Sequence, residues 1–200
     1  MSRKHHLLLL TLFMALIFLL LTAAIKQPVI QHLDEQVLKW LMVYRNPAAT
    51  IFFQGITFFG TSLFFFPATT IVVIILVMDR DWRGCAALLL TMNGAWALME
   101  GLKAFYQRPR PTLGPLEQVP GFSFPSGHAL MGTVFFGLLA LMLLKKIFPR
   151  RQPLVIRGTV VFLLLLGLSR LYLGVHYPTD ILAGYAAGVA VLALCRLWWP

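Results

Sequence analysis

Acidic residues are scarce in this chain: seven Asp and Glu against seventeen Lys and Arg in 200 positions. Charged residues of both signs make up only 12% of the sequence, and 59% is hydrophobic, with a mean hydropathy of +0.80. A soluble domain is excluded by that balance. Cysteine is nearly absent too: Cys85 and Cys195 stand alone, without the partners a disulfide framework or a metal-ligand cluster needs. Both are read as inert packing residues. There is no internal repeat and no low-complexity linker, so one compact bundle accounts for the whole chain, residues 1–200. The formal charge of +10 does not point to nucleic acid, because the basic residues sit mainly in short loops between apolar runs. Loop charge of that kind orients a membrane protein and attracts an anionic ligand.

What the chain has in quantity is apolar runs close to bilayer-spanning length, roughly 17–25 residues each. They predict an all-α polytopic membrane bundle with six transmembrane helices, at about 7–25, 62–78, 84–105, 127–144, 158–172 and 179–198. The first run, with Arg3 and Lys4 before it and no clear small-residue cleavage site after it, reads as a retained helix rather than a signal peptide. Between the first two spans, Ile30, Leu33, Val37, Leu41 and Tyr44 recur at helical spacing. The opposite face carries Gln31, Asp34, Glu35 and Lys39, and Trp40 and Tyr44 suit the membrane interface. A short interfacial amphipathic helix is expected there, either capping the bundle or bordering a lipid path. Residues 51–60 form a Gly- and Phe-rich approach to the second span, which Pro67 can kink.

Orientation follows from counting basic residues. With a cytoplasmic N-terminus, that side receives Arg3, Lys4, Arg80, Arg83, Lys145, Lys146, Arg150, Arg151, Arg157 and Arg196, ten against seven on the other side. The positive-inside rule then puts both termini in the cytoplasm.

Three polar clusters remain that insertion does not explain. The first is Lys103, followed seven residues later by Arg110-Pro111; the second is Pro125-Ser126-Gly127-His128; the third is Ser169-Arg170 with His176 and Asp180. Helix parity places all three at the same face, because an even number of crossings separates their loops. Lys103, Arg110 and Arg170 are cations beside lipid, costly unless an anion matches them. The arginine fork suits phosphate oxygens. Ser126 is a good N-cap, and the helix start at Ser126-Gly127-His128 adds outward-pointing backbone N–H donors. Together they describe a phosphate cradle. His176 and Asp180, four apart, let a carboxylate orient one ring nitrogen and leave the other as a free lone pair able to attack phosphorus. His128 can protonate the leaving oxygen and then activate water. Glu100, three residues before Lys103, is expected to pair with it or with another cradle cation and keep that cation aimed. His5, His6 and His32 read as surface residues.

These three clusters resemble the signature motifs of the type 2 phosphatidic acid phosphatase superfamily, matching at every signature position from Lys103 to Asp180. The resemblance implies a membrane phosphatase in which His176 is the nucleophile of a phosphohistidine intermediate, Asp180 its partner and His128 the general acid and base. It also implies that Lys103, Arg110, Ser126, Gly127 and Arg170 bind phosphate, with no metal ion or other cofactor. Within the superfamily the chain is similar to the phosphatidylglycerophosphatase B and undecaprenyl pyrophosphate phosphatase branches. A lipid phosphate is therefore the expected substrate and membrane lipid the expected surroundings, with no nucleic-acid partner. Undecaprenyl pyrophosphate is the first candidate and phosphatidylglycerophosphate the second, at the outer face of the cytoplasmic membrane. A lipid phosphotransferase using the same site is the nearest alternative, and an anion or lipid transporter the alternative from another class.

Overall fold

In the computed structural model, residues 2–146 and 150–199 are described, and these are helical with no strand among them. The helices in chain order are α1 (Arg3–Ala24), α2 (Pro28–Met42), α3 (Pro47–Phe58), α4 (Ser62–Met78), α5 (Trp82–Tyr106), α6 (Gly127–Lys146), α7 (Gln152–Tyr172) and α8 (Pro178–Trp198). Five of them, α1, α5, α6, α7 and α8, are long and apolar enough to cross a membrane. The pair α3 and α4, bent by 44° at the break between them, is long and apolar enough only when taken together, as a broken span or a re-entrant loop. The all-helical membrane bundle expected from hydropathy is therefore the architecture observed.

Three details differ from the reading of the sequence. Residues 51–60 are not an irregular approach: Asn46 caps α3, its side chain accepting the Ala49 N–H at 2.9 Å, and Pro47 takes the first helical position. The change of direction falls at the Phe59–Thr61 break, upstream of Pro67, which lies inside α4. And α7 begins at Gln152, six residues before the expected start at Gly158, so Arg157 lies on the helix rather than in the basic loop. Residues 147–149 of that loop lie outside the described residues.

The amphipathic helix is present as α2, with much of its apolar stripe turned outward. Leu33 and Val37 are exposed, whereas Asp34 and Leu38 are buried at 3% and 2%. Bilayer inverts the usual logic, since lipid accepts an apolar stripe and a carboxylate must turn inward to find partners.

The core lies between α5, α6 and α8, with α1 and α4 packed around it. Helices α6 and α8 approach closely along small residues. A methyl group on Gly184 would stand 2.7 Å from the Ser126 carbonyl oxygen, and one on Gly188 2.9 Å from that of Leu130. As residue numbers rise along one helix they rise along the other, so α6 and α8 run parallel, with the start of α6 beside the second turn of α8. Small residues permit such contact where no hydrophobic drive separates helix from lipid. The starts of α6 and α8 and the ends of α5 and α7 therefore meet at one end of the bundle.

Candidate active site

Each motif is placed by a local feature of its own sequence. Helix α5 stops where Gln107 enters the left-handed region (φ 47°) and its N–H closes on the Lys103 carbonyl. Pro109 and Pro111 then hold Arg108 and Arg110 in a stiff extended strip. Helix α6 opens after Ser126, whose hydroxyl is fully buried and accepts the Ala129 N–H at 3.5 Å. Helix α8 opens with Pro178 at its first position, and Asp180 reaches back to accept the Tyr177 N–H at 2.8 Å.

The three motifs meet pairwise. Lys103 reaches the second motif, its Nζ lying 3.8 Å from where a Cβ on Gly127 would be. The second motif is bonded to the third through the Ser126 N–H, which donates to the Asp180 carbonyl at 3.0 Å. First and third join directly: Arg110 Nη1 lies 3.2 Å from His176 Nε2 and donates to the Val175 carbonyl at 2.9 Å. Arg110 also donates to the carbonyls of Gly121 and Pro120, at 3.1 and 3.2 Å. It is clamped from three sides with its outer nitrogen against the imidazole.

His176 is 2% exposed, with Nδ1 3.4 Å from Asp180 Oδ2. If Nδ1 carries the hydrogen, the lone pair of Nε2 faces Arg110 and the cradle. Burial lowers the basicity of His176 most, and Arg110 and Arg170 lower it further. The opposing pull of Asp180 is insufficient, and the pKa falls to about 4. The ring is thus neutral at physiological pH, as a nucleophile or base requires. Arg110 is also held below its ordinary value, by burial first and by Arg170 second.

His128 and Arg170 share a neighbour that the motifs do not contain. His128 Nε2 lies 3.1 Å from the Thr57 carbonyl, and the Thr57 hydroxyl accepts from Arg170 Nη1. The last turn of α3 therefore positions both groups. Arg170 is 2% exposed, pairs with Glu117 at 3.1 Å, and keeps a buried Nε with no acceptor. An orphaned donor on a buried guanidinium suits an anion that would complete it.

Asp34, Thr57, Arg108 and Glu117 are the neighbours that motif reasoning missed. Arg108, 9% exposed, spans Asp180 Oδ1 at 2.6 Å and Asp34 Oδ2 at 2.8 Å, and lies over the Tyr177 ring at 4.1 Å. Two signals were available. Arg108 shares the proline frame of Arg110, and Asp34 stands four residues from both Ile30 and Leu38, in line with an inner stripe. Glu100 is exposed; its charge acts on Lys103 through space, with no direct ion pair between them among the described residues. Its position on α5 turns it toward the outside of the bundle. Tyr172 is buried, with its hydroxyl against Asn46 and Thr50.

Comparison with known proteins agrees with this arrangement. A model of the PAP2 superfamily matches residues 84–200. The chain is 33% identical over 184 residues to phosphatidylglycerophosphatase B of Bacillus subtilis (strain 168), covering 90% of each chain. Its fold is similar to the crystal structure of a transmembrane PAP2-type phosphatidylglycerolphosphate phosphatase from Bacillus subtilis, with TM-score 0.89, 32% identity, and 93% and 94% of the two chains covered. The crystal structure of Aquifex aeolicus LpxE, at 23% identity, TM-score 0.68, and 82% and 94% coverage, has the same fold. With the family model spanning more than half its length and a relative aligned along nearly all of it, the chain belongs to the PAP2 superfamily, as an integral-membrane lipid phosphatase.

Proposed function

We propose that this protein hydrolyses a lipid phosphate monoester or diphosphate through a phosphohistidine. The observation that carries the reading is the line Asp180, His176, Arg110: a buried neutral imidazole between an orienting carboxylate and a guanidinium. Lys103, Arg110 and Arg170, with the backbone N–H groups of Gly127 and His128, receive the phosphoryl oxygens, and the free Nε of Arg170 takes one of them; the Ser126 N–H is already given to the Asp180 carbonyl, so Ser126 shapes the turn instead. The lone pair of His176 Nε2 attacks phosphorus, and the bond from phosphorus to the lipid-side oxygen breaks. His128 gives that oxygen a proton. His128 then takes a proton from water, whose oxygen attacks phosphorus; the P–N bond breaks, inorganic phosphate leaves and His176 is restored. Three fixed cations neutralise the developing charge, so the chemistry asks nothing of a metal ion.

The name of the Bacillus subtilis relative favours phosphatidylglycerophosphate as substrate, with undecaprenyl pyrophosphate second. The excess of basic residues at the end of the bundle opposite the site supports a site on the outer face of the cytoplasmic membrane, with both termini inside. The test is phosphate release by purified protein from both lipids, with and without chelator, beside H176A and with an acceptor lipid present. The expected result is release that survives chelator, needs His176 and yields no transferred phosphoryl group. Turnover by H176A, or loss of activity in chelator, would overturn the mechanism.

A further inference from the structure

Asp180 has two carboxylate oxygens, and the structure divides them strictly. Oδ2 accepts from the Tyr177 N–H at 2.8 Å and faces His176 Nδ1 at 3.4 Å, while Oδ1 is held by Arg108 Nη1 at 2.6 Å. A carboxylate turns broadly about its last torsion, so nothing in Asp180 itself decides which oxygen the imidazole meets. Arg108 decides it. The guanidinium is fixed in turn by Asp34 at 2.8 Å, and Asp34 also accepts from the Thr179 N–H at 3.1 Å and the Thr179 hydroxyl at 2.5 Å. One carboxylate on α2 thus pins both the arginine and the first turn of α8. Asp34 lies outside residues 84–200, the part that matches the family model.

We propose that Arg108 and Asp34 are positioning residues for the Asp180–His176 pair: Arg108 immobilises one oxygen of Asp180 so that the other serves His176, and Asp34 immobilises Arg108. The proposal rests on His176 being the nucleophile. The charged and titratable groups facing His176 are Asp180 from α8, Arg110 from the strip after α5, Arg170 from α7 and His128 from the start of α6. Arg108 reaches the ring only through Asp180. With Arg108 removed, the negative charge of Asp180 falls on His176 alone and the imidazole becomes more basic. With lysine in its place the charge remains, but a single ammonium cannot span two carboxylates as the planar fork does.

The experiment measures phosphate release from phosphatidylglycerophosphate by the purified full-length protein and by H176A, D34N, R108K and R108Q. Folded protein is counted by size exclusion. In D34N and R108K, kcat falls about tenfold or more, while KM and the inhibition constant of inorganic phosphate stay within about twofold, because the cradle is untouched. In R108Q the acid limb of kcat/KM moves up by about one pH unit, whereas R108K leaves it in place. A purely structural role would lower the folded fraction without moving the limb. Wild-type kcat in D34N and R108K, or an unmoved limb in R108Q, beside an inactive H176A, overturns this proposal alone. Turnover by H176A overturns the nucleophile assignment beneath it. Should D34N fail to fold, R108K and R108Q decide between the same outcomes.

Discussion

Gly60 packs so closely against His128 that a methyl group on its Cα would fall inside the imidazole, 2.7 Å from Cγ. The glycine sits in the break between α3 and α4, three residues after Thr57, whose carbonyl meets the same ring. G60A should therefore displace His128 rather than unfold the bundle. The expected outcome is a loss of kcat on the order of a hundredfold, the scale of an ångström misplacement of a reacting group. Comparing kcat with the folded fraction of the same preparation checks it.

The depressed basicity of His176 sets the acid side of the pH profile. Above a pKa of about 4 the ring is neutral and its lone pair available; below it the proton blocks attack. After correction for the substrate's own ionisation near pH 6, kcat/KM should stay level down to about pH 4 and then fall tenfold per unit. The linkage to folding has the same sign. The folded pKa lies below the ordinary value of 6.5, so the contribution of His176 to stability is complete above pH 6.5 and lost as pH falls toward 4. Unfolding midpoints measured across that window check the second statement.

Thr57 holds Arg170 through its hydroxyl and His128 through its backbone, so the two roles separate by substitution. T57V removes only the hydroxyl and leaves a buried guanidinium short of one acceptor, a loss of about 1–3 kcal/mol. KM should rise about tenfold while the pH dependence of kcat stays unchanged.

Glu117 occupies Arg170 with a carboxylate at 3.1 Å, and its side chain is 27% exposed. A phosphate arriving at Arg170 must share or displace it. E117Q should then lower the inhibition constant of inorganic phosphate several-fold, and the gain should shrink as salt screens the remaining charges. Weaker phosphate inhibition in E117Q would contradict competition.

The glycines of α8 give a prediction about the fold alone. G188A drives a methyl group toward the Thr133 side chain and the Leu130 carbonyl, on the side of α6 away from the cradle and ten residues into α8. Overpacking of this kind costs about 1–3 kcal/mol. The thermal midpoint should drop, with kcat of the folded fraction intact.

How far the sequence was legible depended on whether a residue announced its surroundings. The long spans were readable because hydropathy and length act locally, and parity carried that reading to the common end where the three motifs meet. Arg110, His176 and Asp180 sit in stretches whose spacing already implied their contact. Asp34 and Thr57 did not stand out, since each gains its role from partners more than seventy residues away, Arg108 and Thr179 for one, His128 and Arg170 for the other. The helix α2 was readable from its periodicity, but which of its polar residues turns inward was not, since Asp34 is buried by partners distant in sequence.

The parallel course of α6 and α8 has a consequence beyond packing. Each helix carries about half an elementary positive charge at its first turn, and here both point toward the phosphate end, one starting somewhat before the other. That share of the attraction belongs to the main chain, so it neither titrates nor disappears when a side chain is exchanged. A protein stripped of its cradle cations one at a time would keep a residual pull on oxyanions, and the glycines that let the helices touch are what preserve it.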